Sequence, residues 1–137
     1  YALADTSYTY QLRCRQYYGT KAWDSVYTGS SLNFPVVSDL TLMKDILITI
    51  QPNHIGGIKV YTASVWQTVL NAQALRHTIF NFDSNFQPVT GGIYDSWGTV
   101  TAATGQELKL EDVYYDRMSN EFFTAGVIKG TSPLKSF

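Results

Sequence analysis

The sequence predicts an all-β fold, an antiparallel β-sandwich or a small barrel of about eight to ten short strands. Three observations carry that prediction. Thr, Val, Ile, Phe, Tyr and Trp make up more than a third of the 137 residues, and these residues fit a pleated, half-buried surface. Apolar and polar residues alternate with a period of two along most of the chain, as a half-buried strand requires. Clusters of Gly, Ser, Asn, Asp and Pro recur at intervals of about ten residues, the spacing of turns between short strands. A parallel βαβ architecture needs several crossover helices, and the sequence does not supply their pattern.

The elements follow in order. Residues 8–18 set Tyr8, Tyr10, Leu12 and Cys14 on one face and Thr9, Gln11, Arg13 and Arg15 on the other, a half-buried strand that ends at Gly19. This opening segment, residues 1–20, reads as a lead-in strand able to connect to an upstream shaft, with the sandwich domain over 21–137. The chain starts at Tyr1 without an initiator methionine or signal peptide, as a mature product or a piece of a longer chain does. Residues 23–28 predict a second strand closed by a turn at Gly29, Ser30 and Ser31. Leu32, Phe34 and Val36 predict a third, confined by Pro35 to an edge or a strand start. The run Ile46-Leu47-Ile48-Thr49-Ile50 is apolar on both faces and predicts a central strand, or one wedged between the core and a subunit contact. Pro52-Asn53 ends it, and Gly56-Gly57 marks the turn into 58–63. Residues 64–75 fit two readings equally. Val65, Trp66, Val69 and Leu70 have helical spacing with Ser64 as N-cap, and an irregular crossover fits as well. Strands are then expected over 76–83, with His77, Ile79 and Asn81 on one face against Thr78, Phe80 and Phe82 on the other, and over 97–102, 107–115 and 120–129, with turns at Asp83-Ser84-Asn85, Thr90-Gly91-Gly92 and Thr104-Gly105.

Charge and motif content exclude several function classes. Ten basic and eleven acidic residues leave a net charge of −1. No basic stripe offers the electrostatic footprint of nucleic-acid binding, and no polybasic cluster addresses an anionic membrane. The longest apolar run is far short of the ~20 residues of a spanning helix, so a soluble chain without membrane insertion is expected. The single cysteine, Cys14, excludes an intrachain disulfide and reads as a small buried hydrophobe. His54 and His77 belong to no metal-binding or catalytic spacing. The carboxylates are scattered, and no phosphate-binding, dinucleotide or nucleophile-elbow motif occurs. No metal, no cofactor and no catalysis are therefore expected, although a polysaccharide hydrolase whose carboxylates converge across strands stays open at this level.

An aromatic excess remains: ten Tyr, seven Phe and three Trp. Several rings are adjacent in sequence, and neighbours on a strand point to opposite faces. One ring of each pair therefore packs inward while the other meets solvent or a partner. Tyr and Trp supply rigid, amphipathic contact area. Such rings stack on the apolar faces of sugars, while Asp and Asn take the hydroxyls. Tyr94-Asp95-Ser96-Trp97 beside a Gly-rich turn has the make-up of a recognition loop. The candidate receptor- or ligand-binding residues are Tyr94, Asp95, Trp97, Trp66, Tyr18 and His54.

From Trp23 onward the order of features is similar to the C-terminal receptor-binding tips of bacteriophage tail fibres. The features are Trp23-Asp24-Ser25-Val26-Tyr27-Thr28-Gly29, the strand Asp45-Ile46-Leu47-Ile48-Thr49-Ile50, and the closing Gly126-Val127-Ile128-Lys129-Gly130. They match a Trp-x-Gly-like opening, a "D-x-L-x-I" strand and an "I-x-G" or "K-G" close. Here Trp23 lies six residues before Gly29, a looser opening, and residues 64–75 have no counterpart. The resemblance spans roughly 22–131 and rests on short motifs. It implies a β-sandwich assembled as a homotrimer on the virion, outside the cell. Such a tip binds a host-surface polysaccharide or outer-membrane protein without catalysis. It implies structural roles for Trp23 and residues 46–50, places receptor contacts in apical loops, and carries no binding residue over by position. A free-standing carbohydrate-binding lectin module and a structural virion subunit are the alternatives.

Overall fold

The computed structural model describes the backbone of residues 7–18, 21–85 and 87–137, and the side chains from Leu32 onward apart from Phe86. The described residues form nine strands and no helix, in three antiparallel sheets that do not close into a barrel. β1 (Ser7–Tyr18) and β2 (Lys21–Asn33) pair as a hairpin. The expected division between 20 and 21 falls between these two paired strands. β3 (Leu40–Pro52), β4 (Ile58–Thr68), β5 (Gln73–Phe82) and β6 (Pro88–Ala102) form a four-stranded meander in that order. β7 (Glu107–Asp116), β8 (Glu121–Lys129) and the short β9 (Lys135–Ser136) form the third sheet.

The middle strands of the meander, β4 and β5, carry buried residues on both faces, which makes this a layered β-sandwich. On one face Leu32, Phe34 and Leu40, from the segment that crosses from β2 to β3, close over Val60, Trp66, Ala74, Phe80 and Phe82. Phe34 meets Trp66 and Phe80 edge-on, at centroid distances of 5.5 and 5.2 Å, the T-shaped geometry that aromatic quadrupoles favour. On the opposite face Ala63, Val65, Leu75 and Ala102 pack against Leu108 and Leu110 of β7. The backbone N–H of Leu108 donates to Gln73 Oε1 at 2.8 Å and ties the two sheets together where β7 begins.

The structure corrects several expectations. Residues 64–75 hold neither a helix nor an irregular crossover. β4 runs to Thr68, a turn with Asn71 at φ 59° follows, and β5 starts at Gln73. The helical spacing of Val65, Trp66, Val69 and Leu70 misleads because β4 is covered on both sides, so residues 60–66 are buried without a break. Ser64 is no cap: its buried hydroxyl accepts a hydrogen bond from Trp66 Nε1 at 2.8 Å, two residues along the same face. The run 46–50 lies in β3, an edge strand rather than a central one, with Ile48 and Ile50 each 43% exposed. β2 extends through the expected Gly29–Ser31 turn to Asn33, with a register irregularity in the hairpin between Thr9 and Gln11, so Leu32 starts no third strand. Thr90-Gly91-Gly92 lies inside β6 as a bulge. Register jumps from Phe82↔Pro88 to Phe80↔Ile93, and Gly91 takes φ +69°, a conformation glycine adopts without strain. The turns at Gly56-Gly57, Asp83-Ser84-Asn85 and Thr104-Gly105 stand as expected. Asn53 organises the first of these: its Oδ1 accepts from the N–H groups of Ile55 and Gly57, and its Nδ2 donates to Ile58 O and Phe82 O. Asp83 Oδ1 accepts from the N–H groups of Asn85 and Gln87.

Candidate functional site: an aromatic cleft between the sheets

Strand register builds the site. Tyr61, Ile79 and Tyr94 are successive partners across β4, β5 and β6, and Ala63, His77 and Ser96 form the adjacent row. Side chains two residues apart on a strand share a face, so both rows look toward the sheet of β7–β9. Lys59 extends the same face one row beyond Tyr61, with Gln51 and Asn81 as its cross-strand partners. The β7–β8 hairpin reaches across to meet these rows. Tyr115 stacks on Tyr61 at 4.9 Å between centroids, and Phe122 lies 5.3 Å from Tyr61 and 5.1 Å from His77. The hairpin covers β3 and β4 more than β6. A cleft of about 440 Å³ is left open over the β5–β6 side, lined by Lys59, Tyr61, His77, Ile79, Tyr94, Ser96, Thr99, Asn120 and Phe122. That volume is within the range of small-ligand sites.

The polar groups of the cleft divide into spent and available ones. His77 Nε2 lies 2.8 Å from Thr124 Oγ1 across the sheet interface. Burial pushes the imidazole below the ordinary histidine value, because removal from water disfavours the charged form. Tyr61 is pushed up, first by burial and then by the neighbouring Tyr115, so it stays a neutral phenol. Tyr115 O–H donates to Asn120 Oδ1 at 2.5 Å, which directs the Asn120 amide. Asn120 takes φ 56° at the end of the β7–β8 turn, a left-handed conformation that asparagine tolerates. The carboxylate of Asp116 in this turn is held by Ser119 Oγ at 2.8 Å and Met118 N at 3.0 Å, which lower its pKa.

The sequence-predicted candidates separate. Tyr94 lies at the cleft, 61% exposed. Its neighbour Asp95 points the other way. It takes a bidentate pair of 2.8 Å bonds from Arg76 Nε and Nη2, and a 2.9 Å bond from Thr78 Oγ1. Arg76 is 1% exposed, also donates to Pro35 O at 2.6 Å, and sits over the Trp66 and Phe34 rings at 4.9 and 5.4 Å. Asp95 is thus consumed by the buried guanidinium. Trp97 is paired in register with Arg76 and is 37% exposed, apart from the cleft. Trp66 is fully buried and presents nothing to a ligand, which removes it from the binding candidates. His54 stands exposed in the β3–β4 turn, outside the cleft lining. The side chains of Tyr18, Cys14 and Trp23 lie outside the described residues. The run 94–97 is a strand, not a loop, and so it divides between two faces. Sequence reasoning missed Lys59, Tyr61, Ser96, Thr99, Asn120 and Phe122 as one surface. The period-two alternation put His77 and Ile79 on a common face, and only strand pairing brings the others to them.

Among the described residues no three His, Cys, Asp or Glu side chains converge as a metal site. Comparison with protein-family models, with curated proteins and with solved structures finds no match.

Proposed function

We propose that this chain is a non-catalytic recognition module that attaches to a cell-surface polysaccharide through the inter-sheet cleft. The observation that carries the reading is the cleft's composition. The rings of Tyr61, Tyr94 and Phe122 line it together with hydroxyl and amide groups, the combination that stacks on a sugar's apolar face and hydrogen-bonds its hydroxyls. The resemblance of 22–131 to phage tail-fibre tips supplies the setting: a receptor-binding tip on the virion, outside the cell, engaging its host through many weak contacts. A homotrimer would multiply a modest affinity by avidity.

The test is binding of the fluorescently labelled chain to bacterial cells and to their purified surface polysaccharides, with Tyr94→Ala as the contact variant. Recognition predicts binding that Tyr94→Ala removes while the melting temperature is unchanged. Release of reducing ends from the polysaccharide would overturn the non-catalytic reading. The mass in solution separates a trimeric tip from a monomeric module.

A further inference from the structure

We infer that the cleft selects acidic sugars, with Lys59 receiving the carboxylate of a uronic- or sialic-acid-type residue that lies against Tyr94. The inference rests on the recognition reading above and narrows its ligand. Three observations support it. None of the nine lining residues is acidic, and Lys59 is the lysine among them. Lys59 is half-buried, has Gln51 and Asn81 as its cross-strand partners, and makes no ion pair among the described residues. The acids of the adjacent β7–β8 hairpin do not reach the lining. Asp116 is bound by Ser119 and Met118, and Glu121 pairs in register with Asp116.

The remaining polar groups are able to donate to an anion. The amide oxygen of Asn120 is taken by Tyr115, which leaves its Nδ2 to donate. The hydroxyls of Tyr94, Ser96 and Thr99 form no hydrogen bond among the described residues and are free to donate. Asn81, a cross-strand neighbour of Lys59, donates its Nδ2 to Gly92 O at 3.0 Å, and no hydrogen bond joins it to Lys59 among the described residues. The cleft is therefore rich in donors, with one cation and no fixed carboxylate. A neutral sugar uses the rings and hydroxyls equally well, but only an acidic one gives the ammonium a charged partner. A hydrogen bond between ionised partners is roughly twice as strong as a neutral one.

The test is an NMR titration of the full 137-residue chain with methyl glucuronide and methyl galacturonide. Their neutral counterparts, methyl glucoside and methyl galactoside, serve as controls, and sodium acetate tests charge alone. At least one acidic glycoside is expected to bind about tenfold tighter than its neutral partner, moving the resonances of Tyr94, Ser96 and Lys59. Acetate is expected to move Lys59 without moving Tyr94. Lys59→Gln should bring the acidic-to-neutral ratio to about one, and Lys59→Arg should keep the preference. A neutral glycoside that binds as tightly as its acidic partner, or a preference that survives Lys59→Gln, overturns the inference and leaves the recognition reading standing. No shift at the cleft from any of the four glycosides overturns both.

Discussion

The two faces of the central meander use polar residues in opposite ways. On the face crossed by residues 34–39, Arg76, Asp95, Thr78, Thr62 and Ser64 lie in an apolar surround with their hydrogen bonds made internally. Thr62 Oγ1 donates to Thr78 O at 2.8 Å, and Arg76 spans Asp95 and Pro35. On the face turned toward β7–β9, the polar groups beyond His77 point into an open cleft. The same strands, β5 and β6, feed both, and adjacent residues go to each: Arg76 and His77, Asp95 and Tyr94. A polar residue in a strand is therefore structural or available according to what covers its face. Burial makes an unpaired polar group costly, so the covered face has to satisfy its groups, while solvent relieves the open one.

The most severe way to break this contrast is to strand the buried guanidinium. Asp95→Ala leaves Arg76 unpaired at 1% exposure, and breaking a buried pair from one side costs about 3–5 kcal/mol. Urea denaturation should show that loss, and a midpoint equal to the parent's would mean that Asp95 does not hold the crossing segment. Next in size is Gly126→Ala, on the sandwich face. A Cβ there would stand 2.3 Å from Lys109 O and 2.4 Å from the Phe137 ring. Gly126 also exchanges both backbone hydrogen bonds with Phe137. Overpacking of this kind costs about 1–3 kcal/mol, and hydrogen exchange should show β9 released first. A residue spent on neither core should behave differently. Tyr94→Ala should change stability by less than about 0.5 kcal/mol, as exposed positions do, and weaken polysaccharide binding by more than ~1 kcal/mol if its ring anchors the ligand. A large stability loss would assign Tyr94 to the core instead.

The smallest effect is a pH dependence from His77. Its folded pKa lies below the ordinary value near 6.5, so the unfolded chain takes up the proton first. The stability it contributes is complete above that ordinary value and is lost as the pH falls through the lower folded one. Stability followed from about pH 8 down to about pH 5 should therefore decline. In His77→Gln this component of the slope should vanish, and an unchanged slope would place its origin in other groups.

The parts of the fold that were legible in the sequence are those set by local chemistry. Asn53, Gly56-Gly57, Asp83-Ser84-Asn85 and Thr104-Gly105 mark turns because few other residues accept those backbone conformations or bond them locally. The alternation of His77, Ile79 and Asn81 with Thr78, Phe80 and Phe82 reads out correctly because β5 contrasts apolar with mixed positions. Legibility failed where that contrast disappears. Residues 60–66 are buried on both sides and lose the period of two, which made Val65-Trp66 resemble a helix. The run 46–50 looked central because it is apolar on both faces, yet its place at a sheet edge depends on having β4 as its only strand partner among the described residues. In the candidate site, Tyr94 could be singled out as a ring beside polar neighbours. Lys59, Tyr61 and Asn120 carried no signal, since what joins them is strand pairing and not nearness along the chain.

By itself the amino-acid order determined the all-β character, the positions of most turns and the alternation of side chains within single strands. Each follows from the conformational preferences of one residue and its near neighbours. Tertiary structure alone decided which face of each strand is covered, which strand lies at an edge, and which distant residues share the cleft. Those outcomes depend on pairing register between separate strands, where a shift of one residue turns every side chain to the opposite face.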